Sequence, residues 1–218
     1  MASKKKILVL YAHPKHWQSK ANAPLAAVGR AVSGVTLIDL YATYPTLDID
    51  VRAEQEQLAA HDIIIFQFPM YWYSTPAILK EWQDLVLEYG FAYGRDGKAL
   101  HGKTFLCAVT AGGPAHVYAG GDAMSDDEGD VENGGMDIRR LLLPIEQMAR
   151  LCGMHFLPPF ILFGARTALK DQRIEDHMRE WENLLTALRD QRFDMAAADS
   201  MTLLTGRLPL IAHKGNKA

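Results

Sequence analysis

Cysteine is scarce. Cys107 and Cys152 are the only two in 218 residues, and each sits in an apolar context far from the other. Two such residues fit packed free thiols in a reducing, cytoplasmic compartment; a disulfide-framed secreted domain needs more. Charge of one sign is lacking too. The 23 Lys and Arg nearly balance 26 Asp and Glu, for a net charge of −3, and no basic stripe is present to meet nucleic acid. Lys4-Lys5-Lys6 is a short solvated lead-in to a strand and makes a poor polybasic signal. No apolar run reaches the length of a membrane span, and no signal-peptide pattern precedes the first strand. Internal repeats are absent. The acidic stretch 122–132 lacks the residue order of a calcium loop, so it reads as a solvated loop and no metal site is expected.

What the chain does have is a series of short apolar runs in a 49% hydrophobic sequence, enough for one domain with a sizeable core. Ile7–Tyr11 is too short for a globular helix and has the composition of a strand buried on both faces. Val35–Tyr41, Ile63–Phe68, Thr104–Val109 and His155–Phe163 read as further strands, the last interrupted by Pro158-Pro159. Helical patterns separate them. Ala23–Val32 tolerates Pro24 only in its first turn, and Arg52–Ala60 carries Gln55 and Glu56 as expected solvated surface. Thr75 and Pro76 suggest an N-cap and first helical residue. Leu79, Trp82, Leu85, Val86 and Tyr89 then keep the helical period up to Gly90. Met136–Leu151 should bend or restart at Pro144, and Asp171–Arg189 buries Ile174, Met178, Trp181, Leu185 and Leu188 on one face. Five buried-type strands alternating with helices predict an α/β, doubly wound parallel sheet in the order 2-1-3-4-5, with helices on both faces. Residues 1–190 form that domain; 191–218 are an extension without a period, irregular or packing on a neighbour.

Ligands of such sheets bind beyond the carboxyl ends of the strands. Three loops distant in sequence meet there: 12–22, 69–75 and 110–118. The first is a polar strand-to-helix loop. Unpaired backbone N–H groups at the helix start near Lys20-Ala21-Asn22, with the His13 imidazole, the Ser19 hydroxyl and the Asn22 amide, suit a phosphate. The second, Met70-Tyr71-Trp72-Tyr73, offers an aromatic wall to a flat ring. The third, Thr110-Ala111-Gly112-Gly113, lets backbone donors approach the polar edge of such a ring, since Gly112 and Gly113 have no Cβ. Taken singly, Ser19 reads equally as a helix cap and Thr110–Gly113 equally as a strand-to-loop turn, and Met70–Tyr73 reads more readily as a buried turn. Three such loops at one sheet edge make a joint accident a poor explanation.

Leu10–Pro14 followed by Ser19 and Asn22, Gln67–Pro76 and Thr110–Gly113 resemble the flavodoxin-like NAD(P)H:quinone oxidoreductases. Phe91–Gly94, Leu100–Lys103 and Leu157–Phe160 point to the branch of small ancillary flavoproteins of glutathione-regulated potassium efflux systems. The resemblance covers roughly residues 5 to 190. It implies FMN rather than FAD, held by His13 and Ser19 through Asn22 at the phosphate, lined by Met70 through Tyr73 and met by Thr110 through Gly113. It implies NAD(P)H as co-substrate, a quinone (or a nitro or azo compound) as acceptor, and a homodimer with its sites at the interface. In larger relatives a Tyr and a His follow the Gly-Gly pair. Tyr118 stands at the Tyr place, Met124 stands where the His would be, and His116 is nearby but out of register, so Tyr118 and His116 are the candidate catalytic residues. Two other readings stay open: a regulatory subunit bound to a membrane potassium/proton antiporter, and a flavodoxin-type one-electron carrier. The length, the mild charge and the different phosphate loop weigh against the carrier.

Overall fold

A computed structural model describes residues 3–120 and 136–212; the acidic stretch 122–132 and Met124 lie outside the described residues. The apolar runs form β1 (Ile7–Tyr11), β2 (Val35–Asp39), β3 (Ile63–Pro69) and β4 (Thr104–Thr110). The proline-interrupted run gives two short pieces, β5 (His155–Phe156) and β6 (Phe160–Leu162), both paired to β4. Every named pairing is parallel, and the order is β2-β1-β3-β4-β5 as expected. Pro158 and Pro159 cannot donate to the ladder, which explains why one strand splits while staying in place.

Alternation along the strands sorts the core into two layers. Leu8, Leu10, Ile64, Phe66, Phe68, Phe105, Cys107 and Val109 face one cluster. On that side lie α2 (Leu40–Thr43), α3 (Val51–Ala60), α4 (Ala77–Val86), α5 (Ile138–Leu141) and α6 (Leu143–Leu151). Ile7, Val9, Ile63, Ile65, Leu106 and Ala108 face the other, built from α1 (Asn22–Ala31) and α7 (Arg173–Arg189). Residues 191–212 carry α8 (Met195–Asp199) and α9 (Leu208–Ile211), whose Ala198, Leu208 and Ile211 join the same cluster. The extension therefore packs on its own chain's core. Among the described residues no helix is long and apolar enough to cross a membrane.

Several boundaries differ from the sequence reading, each for a local reason. β2 stops at Asp39 because the Asp39 carboxylate accepts a bond from the Ala42 N–H (3.2 Å) and starts α2 in place of further strand. Pro76, with ψ 147°, is the cap of α4, so Thr75 is not its N-cap. α4 ends at Val86, and Tyr89 leaves the helical period to meet Tyr93 edge-on, with ring centroids 5.7 Å apart. Gln172 takes a left-handed conformation and delays α7 to Arg173. Gln55 is not free surface: its amide donates to the Val86 carbonyl (3.0 Å) and to Glu88 (2.8 Å). Beside it, Glu54 is buried and accepts bonds from the Tyr44 hydroxyl (2.7 Å) and the Trp82 indole (2.8 Å), tying three helices together.

Candidate functional site

The parallel register ends β1, β3 and β4 at one edge, and the three loops emerge side by side. Backbone bonds fasten them to one another. Ala12 N–H donates to Gln67 O (2.9 Å), Met70 N–H to Thr110 O (2.8 Å) and Ala111 N–H to Leu162 O (2.9 Å). Gly164 N–H then closes on Gly113 O at 2.7 Å. The edge is a fixed frame, and the loops start from set positions.

In the first loop His13 is buried. Its Nδ1 accepts from the Lys15 N–H (3.2 Å), so the neutral ring carries its proton on Nε2, which faces the Tyr71 hydroxyl at 3.2 Å. Burial, and then the charge of His16, hold the His13 pKa below the usual histidine range, so this neutral form is the one present at neutral pH. With the Tyr71 oxygen accepting from His13, the Tyr71 hydroxyl proton is left to be donated elsewhere. The Ser19 hydroxyl accepts from the Ala23 N–H (3.2 Å) in the first turn of α1, whose cap residue is Ala21. Asn22 departs from the expectation of a loop residue offering its amide to a phosphate. It is the first residue of α1, 1% exposed, and its Nδ2 donates to the Thr110 hydroxyl at 2.5 Å. Its backbone N–H remains available.

The second loop is a two-residue hairpin. Tyr71 and Ser74 exchange both backbone bonds (3.1 and 3.0 Å), with Trp72 (φ 50°) and Tyr73 (φ 62°) at its tip. Left-handed backbone at two successive aromatic residues is unfavourable, and such strain persists where the frame over-determines it. The turn presents Trp72 94% exposed and Tyr73 56% exposed. Met70, by contrast, is buried with Phe68 in the core, so its side chain does not line the edge.

In the third loop Thr110 and Ala111 are buried and Gly112 is exposed. A Cβ on Gly112 would meet only the exposed Arg166, at 3.7 Å, whereas one on Gly113 would press on the Tyr118 ring at 3.3 Å. Tyr118 is buried beneath this glycine, 5.6 Å from Phe163 ring to ring, and His116 is exposed two residues earlier on the same turn. The loop thus brings Tyr118 together with Gly113. Among the described residues no side-chain hydrogen bond ties His116 to Tyr118 or Gly113.

Among the described residues, the backbone N–H groups of Lys20, Ala21, Asn22, Trp72, Tyr73, Gly112 and Gly113 have no hydrogen-bond acceptor within the chain. Seven free donors on three adjoining loops, beside exposed aromatic rings, form a set suited to a phosphate at one end and a flat ring with polar edge atoms at the other. FMN fits this donor set, and the residues present would hold it at those two ends.

Three contributors escaped the sequence reading. Trp17, 78% exposed, stands in the first loop, where its neighbours made the segment look simply polar. Arg166 approaches Gly112 from the loop after β6, with no motif to mark it. Gln67 is 0% exposed beneath the loops and was absorbed into an apolar run.

The sequence matches the family model described as having a flavodoxin-like fold over residues 5–185. It is 41% identical over 180 residues to the glutathione-regulated potassium-efflux system ancillary protein KefG of Serratia proteamaculans, covering 81% of this chain and 91% of that one. The general stress protein 14 of Treponema denticola, solved in complex with FMN, superposes with a TM-score of 0.73 at 36% identity, over 84% of this chain and 99% of that one. An NADPH-quinone reductase from P. pentosaceus superposes with a TM-score of 0.65 at 28% identity, over 82% and 96% of the two chains.

Proposed function

Because this chain belongs to the flavodoxin-like family, we propose that it is an FMN-dependent oxidoreductase that takes electrons from NAD(P)H and delivers them to a quinone or a related nitro or azo compound. The carrying observation is the row of seven unpaired backbone donors over three loops at one sheet edge. The FMN-bound relative and the quinone reductase neighbour support the same reading.

In this reading Lys20, Ala21 and Asn22 bind the phosphate through backbone N–H groups at the start of α1, where the helix dipole favours an anion, and Ser19, whose N–H is taken by the His16 carbonyl (3.0 Å), offers its hydroxyl proton. The neutral His13 orients Tyr71 so that the Tyr71 hydroxyl proton points to an acceptor on the cofactor. Trp72 and Tyr73 line the ring with side chains and backbone N–H groups. Thr110 through Gly113 meet its polar edge, where Gly112 leaves open space for it. Tyr118 and His116 flank that edge and are the residues proposed to assist charge there. When bound, the flavin supplies the chemistry, accepting a hydride from the nicotinamide and passing two electrons to the acceptor. The chain's contribution is position and electrostatics. Among the described residues no group is placed for an adenine half, and FMN is favoured over FAD.

We further propose a homodimer in the cytoplasm, closing each site with the partner's 89–93 segment, in which Tyr89 is 69% exposed. A second reading rests on the identity to KefG: an ancillary subunit docked on a potassium efflux protein at the membrane, with the redox activity secondary. The test is NAD(P)H oxidation by the purified, FMN-loaded protein with a benzoquinone acceptor, together with its mass by light scattering. Quinone-dependent turnover by a species of twice the chain mass is expected. A loaded protein inert toward quinone overturns the quinone reductase reading.

A further inference from the structure

On the α1 face of the sheet, the inward row of β3 runs Ile63, Ile65 and then Gln67, and that of β4 runs Leu106, Ala108 and then Thr110. Both apolar rows turn polar near the loop end of the sheet, with Gln67 opposite Ala108 and Thr110 one inward position beyond. Gln67 is 0% exposed and its Nε2 donates to the Asn22 backbone carbonyl at 3.0 Å. Asn22, 1% exposed, donates in turn from Nδ2 to the Thr110 hydroxyl at 2.5 Å. The Oδ1 of Asn22 and the Oε1 of Gln67 are buried with no hydrogen-bond partner. A fold in need only of packing would continue both rows with apolar side chains and leave no orphaned acceptor.

Resting on the flavin reading above, we infer that Gln67 is a positioning residue: through Asn22 and Thr110 it fixes the separation between the phosphate end and the ring-edge end of the cofactor site. The geometry gives it that position. Asn22 carries one of the free donors at the helix start, Thr110 opens the glycine loop, and Gln67 is the strand residue that holds the first against the second. A ligand that engages both ends feels an error in their spacing, whereas one that engages only the ring edge does not. Thr110, accepting from Asn22, is also left with its hydroxyl proton to direct at the ring edge.

The test compares FMN with riboflavin, which has the same ring and lacks the phosphate. Gln67→Met keeps an unbranched side chain of similar length and removes both polar atoms; Gln67→Leu is the second variant. Apo-protein is titrated with each flavin, and affinity is read from flavin fluorescence, with the thermal midpoint of the apo-protein as a control. The expected result is an FMN affinity about tenfold weaker, the worth of one hydrogen bond to a charged group, with riboflavin affinity and the apo midpoint close to wild type. Equal losses for the two flavins, unchanged FMN affinity, or failure of both variants to fold would each overturn the inference and make Gln67 a packing residue. A wild-type protein that binds neither flavin overturns the flavin reading itself, and is recognised before any variant is made.

Discussion

His177 is a residue whose charge state the fold dictates. It is 4% exposed on α7 and stacks on Phe160 with centroids 4.1 Å apart; burial alone lowers its pKa from 6.5 to about 4. The unfolded chain therefore takes up a proton at this group as pH falls below 6.5, while the folded chain does so only near 4. Stability at neutral pH is lost progressively across that window, by about 3 kcal/mol in all. Urea unfolding at pH 7 and pH 4 should show this loss in wild type. In His177→Phe, which keeps the stacked ring and cannot titrate, the loss should be smaller by about that amount. At the same scale, sequence patterns mark identity better than environment. Asn22 stood out as a polar residue at a helix start, yet its burial against Thr110 depends on the sheet beneath it. Gln67 and Glu54 carry no local signal, because one lies in an apolar run and the other in a charged helix. Their partners, Asn22 for the first and Tyr44 and Trp82 for the second, are reached only through the tertiary fold. Cys107 and Cys152 were read correctly as free and packed; burial raises both thiols, Cys152 to about 11, which leaves them unreactive at neutral pH.

Among the elements, the aromatic hairpin separates stability from function most clearly. A two-residue turn with both tip residues left-handed prefers Asn and Gly, and here it holds Trp72 and Tyr73. Trp72 is almost fully exposed, so replacing it removes little packing. Trp72→Asn should therefore stabilise the protein by about 0.5–1 kcal/mol through relief of backbone strain. The same change should weaken FMN binding by removing the ring wall. Chemical unfolding and a flavin titration on the same preparation check both directions, and a variant that loses stability would show that the turn is not strained. The element-scale reading of the sequence was sound in the body of β1, β3, β4 and α7. It faltered at ends set by single capping contacts: Asp39 to Ala42 at the end of β2, and Pro76 ahead of α4. The left-handed turn was beyond it, since aromatic residues argue against that conformation and the clamp between Tyr71 and Ser74 imposes it.

For the whole molecule, the strand order and the convergence of three loops at one edge were legible because α/β alternation leaves few topologies. The free donors of the helix start and the glycine loop were legible too; those of Trp72 and Tyr73 were not, because the left-handed turn that frees them has no signature in side-chain identity. That this edge holds a flavin is tested most directly at Gly112. Its Cβ position is open except for Arg166 at 3.7 Å, and no left-handed φ forbids a side chain, so Gly112→Val should fold as wild type does. Val would stand where the ring edge is proposed to approach. Gly113→Val would give a less clear answer, because it also presses on Tyr118. The measurement is the visible spectrum of each purified protein after incubation with FMN and desalting, with the released cofactor identified by mass. Stoichiometric FMN is expected on wild type, with little or none on Gly112→Val at an unchanged thermal midpoint. A wild type that retains no flavin, or a Gly112→Val protein that retains a full complement, would contradict it.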